Sequence, residues 1–175
     1  MSKRDLKKYV KELTKEQLEE QIIELYEKFN PVKVYYDFVF NPKENSLLLE
    51  SKIKISNEYF PIQSSGRGKK PKMRRSVAQK YIKHFMVLGV DPFLIADVML
   101  YNIEIAQAFS AGNTIKQEIF FKSMLNSFEQ VAHYLIANGI LPDFKTRLKS
   151  IQNEAFEQKW KNKEQFQTIV ERLEY

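Results

Sequence analysis

The stretch from Pro92 to Ser110 constrains the fold of this chain more than any other part of the sequence. Asp91 followed by proline is typical of a helix start, and Gly112 is typical of a helix end. Most positions between them are apolar, and no lysine or arginine occurs from residue 84 through 115. A helix that is apolar on almost all sides lies inside a bundle or against another subunit. We therefore predict that helix 92–110 is the most buried element.

Apolar residues recur at helical spacing along most of the rest of the chain. A serine or threonine with glutamine three positions later predicts capped helix starts, and asparagine can serve the same purpose. These starts are Thr14, Ser76, Thr114 and Asn162. Residues 52–56 alternate as in a strand, but a single strand would have no partner, so we predict a helix over 45–60. The predicted fold class is all-α, a bundle of about seven to eight helices.

The length of 175 residues fits a single domain that can bury a sizeable core. A long basic loop, residues 63–75, interrupts the helical pattern. We expect one all-helical domain over 1–175, within which an N-terminal helical subdomain 1–60 is joined by this loop to a helical core 76–175.

Several classes of function are excluded by what the sequence lacks. With no cysteine and only two histidines, thiolate zinc sites, iron–sulfur clusters, cysteine nucleophiles and histidine-rich metal sites are ruled out. The sequence also contains neither a phosphate-binding Walker loop nor a dinucleotide-binding glycine motif. We expect no cofactor and no metal. The N-terminus is charged and leads into no apolar leader segment, so we expect a cytoplasmic protein that does not use a membrane.

The net charge of +6 comes from one part of the chain. Residues 61–85, the basic segment, carry eight lysines and arginines and no acidic residue. Within the loop, six cations repel one another, which favours an extended, exposed conformation that an anion would stabilise. The candidate anion-binding residues are Arg67, Lys69, Lys70, Lys72, Arg74 and Arg75.

Three interpretations of this loop remain open. It is a solvated loop, a contact for a polyanion such as nucleic acid or an acidic protein surface, or a pocket for a phosphorylated metabolite. Residues 67–71 resemble the Arg-Gly-Arg-Pro core of an AT-hook, with one extra lysine and a lysine in place of the second arginine. The hairpin 77–110 has the outline of a helix-turn-helix, but its second helix has no cation to offer phosphates.

A second candidate site is the polar stripe Asp97, Tyr101 and Glu104, spaced i, i+4, i+7 on the apolar helix. Two carboxylates beside a tyrosine on a buried helix could form an acid/base pair or hold a divalent cation. Alternatively, the stripe faces water or pairs with basic side chains of neighbouring helices. No catalytic residue is assigned from the sequence.

The chain resembles an uncharacterised family of small bacterial all-helical proteins, a domain of unknown function. The resemblance rests on the opening Leu-Lys-Lys-Tyr-Val-Lys-Glu-Leu-Thr-Lys-Glu-Gln-Leu, on Glu-Tyr-Phe-Pro at 58–61, and on the Gly-Arg-Gly-Lys loop at 66–69. It also includes Leu-Gly-Val-Asp-Pro and Ala-Asp-Val-Met-Leu-Tyr within 88–101. The resemblance implies one all-helical domain and carries no catalytic residues with it.

Two functional hypotheses follow. The first is a non-enzymatic binding or adaptor module that engages an anionic partner through the basic loop. The second is an enzyme acting on a phosphorylated substrate, with Asp97, Tyr101 and Glu104 near that loop. We favour the first, because the sequence shows no nucleophile, metal cluster or nucleotide-binding loop. The oligomeric state is left open.

Overall fold

The computed structural model describes residues 2–62 and 70–173, and these form nine helices and no strand. The helices are α1 (Lys3–Glu12), α2 (Lys15–Lys28), α3 (Asn30–Phe40), α4 (Glu44–Tyr59), α5 (Arg75–Leu88), α6 (Pro92–Ala111), α7 (Glu118–Ala137), α8 (Leu141–Glu157) and α9 (Lys163–Arg172). The all-α prediction is confirmed. Most of the predicted loop, residues 63–69, lies outside the described residues.

The described residues hold one helix more than the upper limit of the prediction. α2 and α3 follow one another directly, since Phe29 is at once the C-cap of one helix and the N-cap of the next. The predicted helix over 45–60 is confirmed as α4. It buries Ser51, Ile55 and Tyr59, whose spacing of four places them on one helical face, so the strand-like alternation of its middle is incidental.

The helices group into two compact units, Met1–Lys43 and Glu44–Tyr175. In the first unit, α2 packs on α3, where the Tyr26 hydroxyl donates to Asp37 at 2.7 Å. Gln21 of α2 donates to the hydroxyl of Tyr9 of α1 at 2.6 Å. In the second unit, α4 packs on α5 and α6. The predicted N-terminal subdomain 1–60 and helical core 76–175 stay a prediction. The organisation as a single domain stays a prediction.

Helix α6 lies at the centre of the second unit and packs against α4, α5, α7 and α8. It contributes ten buried side chains, more than any other described helix, which confirms the prediction for 92–110. By length and composition α6 is also the one described helix that could cross a membrane, but core helices of soluble proteins share these properties. The burial of more than half of its most apolar stretch fits such a core helix.

Two predicted helix starts are confirmed, two are wrong in position, and one is right in position but wrong in its capping chemistry. Thr14 and Gln17 form the predicted capping box, and Asp91 caps α6 by accepting from the backbone N–H of Phe93 at 2.7 Å. At α5, however, the N-cap is Arg74 rather than Ser76, because Gln79 turns away to hydrogen-bond Gln130 on α7. At α7, residues 114–117 lie outside any helix and the helix begins at Glu118. Asn162 does precede α9, but its amide donates to Phe121 O instead of capping the helix.

The central position of α6 predicts the effect of a charge within it. Leu100 is fully buried, and an unpaired carboxylate there costs several kcal/mol of a typical total stability of about 5–15 kcal/mol. We expect Leu100→Asp to abolish cooperative thermal unfolding measured by circular dichroism. Leu49→Asp, at an exposed position of α4, is the matched control and should melt within a few degrees of the wild type. A cooperatively melting Leu100→Asp protein would contradict the assignment of α6 as the core.

Candidate functional site

The structure pairs the polar stripe of α6 with two cations from neighbouring helices. Arg147 of α8 bridges both carboxylates: its Nη1 donates to Asp97 at 2.6 Å, and its Nε and Nη2 donate to the two oxygens of Glu104 at 2.5 and 2.7 Å. Lys52 of α4 approaches the other oxygen of Asp97 to 2.5 Å. The same ammonium lies 5.3 Å from the centre of the Tyr101 ring. We call these five residues the ion-pair network; it joins α4, α6 and α8.

The four charged side chains of the network are partly buried, with exposed fractions between 24 and 34%. Arg147 is suited to this position because its planar guanidinium can address two carboxylates at once, with two parallel hydrogen bonds to Glu104. Two carboxylates and two cations also balance in charge. The residues predicted as a polar stripe are therefore neutralised within the second unit.

The protonation of Asp97 follows from these contacts. Burial raises the pKa of Asp97, but the hydrogen bonds and charges of Lys52 and Arg147 outweigh it and bring the pKa below the ordinary 3.8. A general acid at neutral pH needs a shift in the opposite direction. Asp97 is thus held as a carboxylate, which suits an ion pair and not proton donation.

Sequence reasoning missed the two cations of the network, Lys52 and Arg147. A weak signal was present, since a carboxylate pair on an otherwise apolar helix requires counter-charges from elsewhere. Which of the chain's 28 lysines and arginines supply them depends on how α4 and α8 pack on α6.

The part of the basic segment just before α5, residues 72–74, is anchored on α4 by Glu58. Arg74 donates from Nε and Nη2 to the two carboxylate oxygens of Glu58, both at 2.8 Å. The backbone N–H groups of Lys72 and Met73 donate to the carbonyl of Glu58 at 2.9 and 3.0 Å, with Met73 in a left-handed conformation at φ 52°. The hydrogen bond from Arg74 is the largest cause that lowers the pKa of Glu58, while burial opposes it. Residues 72–74 are therefore held to α4 by hydrogen bonds to Glu58.

Arg75 is also engaged within the second unit. Its Nε donates to Ser127 at 2.8 Å and its Nη2 donates to the side-chain oxygen of Gln130 at 2.6 Å. Ser127 is buried and accepts a further, longer hydrogen bond from buried Asn102 at 3.4 Å. Burial lowers the pKa of Arg75. Of the predicted anion-binding residues, Arg74 and Arg75 thus serve first as attachments of the segment to α4 and α7.

The remaining described cations of the basic segment are exposed. Lys70 and Lys72 precede α5, and Lys80 and Lys83 lie one turn apart on its outer face. None of these four forms an ion pair within the described part of the chain, although the charge of Lys72 contributes to lowering the pKa of Glu58. Arg67 and Lys69, also predicted as anion-binding, lie outside the described residues.

Among the surface cavities in the described part of the second unit, three exceed about 200 Å³. One of about 230 Å³ adjoins the basic segment and is lined by Asn57, Glu58, Pro61, Ile62, Lys70, Lys72 and Arg74. Two others, of about 490 and 360 Å³, are formed around the loops next to α7 and α9 and share Phe121 and Lys161. None of the three is lined by Asp97, Tyr101 or Glu104. Among the described residues, no group of three acidic or histidine side chains could hold a metal ion.

These features define a small all-helical protein with an ion-paired core helix and a basic segment anchored beside it. The chain belongs to a family described as "Family of unknown function (DUF6155)", whose model matches residues 1–174. The resemblance to an uncharacterised family is thereby confirmed. No curated protein and no solved structure matches the chain.

The ion-pair network predicts a pH-dependent effect of removing Arg147. Arg147→Gln leaves Glu104 without a cation and Asp97 with Lys52 alone, so we expect a loss of about 2–3 kcal/mol in unfolding free energy at pH 7. Because the folded-state pKa of Asp97 is depressed, the stabilisation exists above about pH 4 and is lost as the pH falls through the folded value. The difference from wild type should therefore shrink in urea titrations performed near pH 3.

Arg172→Gln is the matched control, since Arg172 is exposed at the end of α9. It should change the unfolding free energy by no more than about 0.5 kcal/mol at either pH. Equal effects of the two substitutions at pH 7 would show that the network does not stabilise the fold.

Proposed function

We propose that this protein is a non-enzymatic binding module that engages a polyanion, in the first place a nucleic-acid backbone, through its basic segment. The observation that carries the proposal is the exposure of Lys70, Lys72, Lys80 and Lys83 without an ion-paired carboxylate in the described part of the chain. Since the segment 61–85 contains no acidic residue, its cations have no local partner in sequence either. Their mutual repulsion favours a partner that brings several negative charges together.

The anchoring contacts of Arg74 and Arg75 support this proposal. Arg74 and Arg75 attach the segment to α4 and α7 at the point where α5 begins. The exposed lysines before and after this point are therefore held next to the packed helices of the second unit. Arginine suits the anchors because it forms several directed hydrogen bonds, and lysine suits a backbone contact because it acts as a point charge. We propose that Arg67 and Lys69 extend the same surface as part of a loop over 63–75.

The mode of binding is expected to be independent of base sequence. The helix that would read bases in a helix-turn-helix arrangement is α6, which is buried in the core. Phosphate contacts made by lysines give affinity and no sequence information. We also propose that the protein is cytoplasmic, as expected from the sequence.

The alternative, an enzyme acting on a phosphorylated substrate, has less support. Its candidate residues Asp97 and Glu104 are already ion-paired to Arg147 and Lys52. The cavity beside the basic segment contains cations and Glu58, but Arg74 holds that carboxylate. Asp97, Glu104 and Glu58 are thus ion-paired and not free to act as a base for a substrate held by the cations.

The proposal predicts salt-dependent binding to duplex DNA. If Lys70, Lys72, Lys80 and Lys83 each contact a phosphate, the logarithm of the binding constant should fall with the logarithm of salt concentration with a slope of about −3.6. Replacing all four by glutamine should strongly weaken binding of a labelled random-sequence duplex at about 50 mM salt, with any residual binding left to Arg67 and Lys69. Fluorescence anisotropy of the labelled duplex across a salt series measures both the slope for the wild type and the loss of binding in the variant.

A second quadruple variant tests whether binding depends on the four lysines of the basic segment or only on the total positive charge of the protein. Lys116, Lys122, Lys145 and Lys159 are exposed lysines of the second unit outside the basic segment, and replacing them by glutamine changes the net charge by the same amount. This control should bind as the wild type does. Equal weakening in both variants, or no binding by the wild type at about 50 mM salt, would overturn the nucleic-acid proposal; the latter would redirect it to an acidic protein surface.

A further inference from the structure

The first unit, α1 to α3, has no buried residue among positions 2–43. It nevertheless exposes ten large hydrophobic side chains, with exposed fractions from 37 to 81%. These are Leu6, Tyr9, Val10, Ile22, Ile23, Leu25, Phe29, Tyr35, Val39 and Phe40. The four aromatic side chains, at about half of the 150–250 Å² that each can bury, present roughly 400 Å² of surface, and the six aliphatic side chains add to it. Single exposed apolar residues need no explanation, but ten within positions 2–43 do, and we take them as candidates for contact with a partner.

The size of the unit makes a covering partner necessary. Units of about 40 residues rarely bury enough surface to be stable without disulfides, metals or oligomerisation. This chain has no cysteine, and the first unit has no histidine. The area that it exposes is comparable to the roughly 800 Å² per partner of a standard protein interface.

The charges of the unit indicate what the partner is. α1 carries five basic and two acidic residues, a net charge of +3, and α2 carries two basic and five acidic residues, a net charge of −3. In the described part of the unit, ion pairs form only within α2, between Lys15 and Glu19 and between Lys28 and Glu24. The cations of α1 and glutamates such as Glu20 and Glu27 are without ion pairs there. The unit thus presents two helices of equal and opposite charge beside an apolar surface.

We propose that this surface binds a second copy of the same chain, forming a two-fold symmetric dimer through α1–α3. In a two-fold interface both protomers use the same patch. If α1 of one protomer faces α2 of its partner, then α2 of the first protomer also faces α1 of the partner. The opposite charges then attract in both places, while the apolar side chains are buried between them. An anionic membrane surface fits less well, because it would attract α1 and repel α2.

The first measurement is the molar mass of the full chain by sedimentation equilibrium at micromolar concentrations. The expected result is about 42 kDa, twice the 20.8 kDa of one chain. Phe40→Asp should weaken the dimer at least tenfold, since Phe40 is the most exposed of the ten side chains. Ile119→Asp is the matched control, because Ile119 is similarly exposed but lies on α7 of the second unit; it should leave the dimer unchanged. A wild-type chain that is monomeric at about 100 µM would overturn the proposal.

A mixing experiment tests the pairing of α1 with α2 of the partner. Lys7→Glu with Lys11→Glu makes α1 acidic, and Glu20→Lys with Glu27→Lys makes α2 basic. Each double variant alone should be monomeric, because its α1 and α2 then carry the same sign of charge. Mixed in equal amounts, the two should form a heterodimer, since the acidic helices of one meet the basic helices of the other.

Circular dichroism of each double variant shows whether its helices remain. Folded variants that dimerise alone, or folded monomers that fail to combine on mixing, would overturn this geometry. If either variant loses helicity, Phe40→Asp and its control decide the proposal. None of these outcomes depends on nucleic-acid binding.

Discussion

The bridging of Asp97 and Glu104 by Arg147 is the interaction on which the second unit depends. α6 supplies most of the core, and a helix buried to that extent tolerates two carboxylates only where cations reach them. Arg147 reaches them from α8 and Lys52 from α4, so the same contacts that neutralise the stripe also fix how these two helices are placed on α6.

The cations of the basic segment fall into two groups: some attach the segment to the second unit, and the others stay exposed. Arg74 and Arg75 attach it to Glu58, Ser127 and Gln130, whereas the lysines around them remain exposed. This division follows the chemistry of the two residue types, because the planar guanidinium forms several directed hydrogen bonds and the ammonium remains strongly hydrated. The net charge alone gives no hint of it.

The two units contrast in how they satisfy their apolar side chains. The second unit buries them around α6, and the first leaves them exposed while it separates positive and negative charge onto different helices. A chain that folds as one self-sufficient core has no need of such a division. Because of this contrast, we propose polyanion binding for the second unit and association with a second copy of the chain for the first.

The sequence by itself determined the all-helical fold, the central position of α6 and the capping of α2 and α6, because these depend on residue spacing within a few turns. It also identified Asp97, Tyr101 and Glu104 as an unusual stripe and the segment 61–85 as the source of the charge. Only the tertiary structure decided that Lys52 and Arg147 neutralise the stripe, that Arg74 and Arg75 anchor the segment, and that Gln79 leaves its predicted cap for Gln130. Each of these contacts joins residues 16 to 55 positions apart, so its partner is chosen by the packing of helices and not by local spacing.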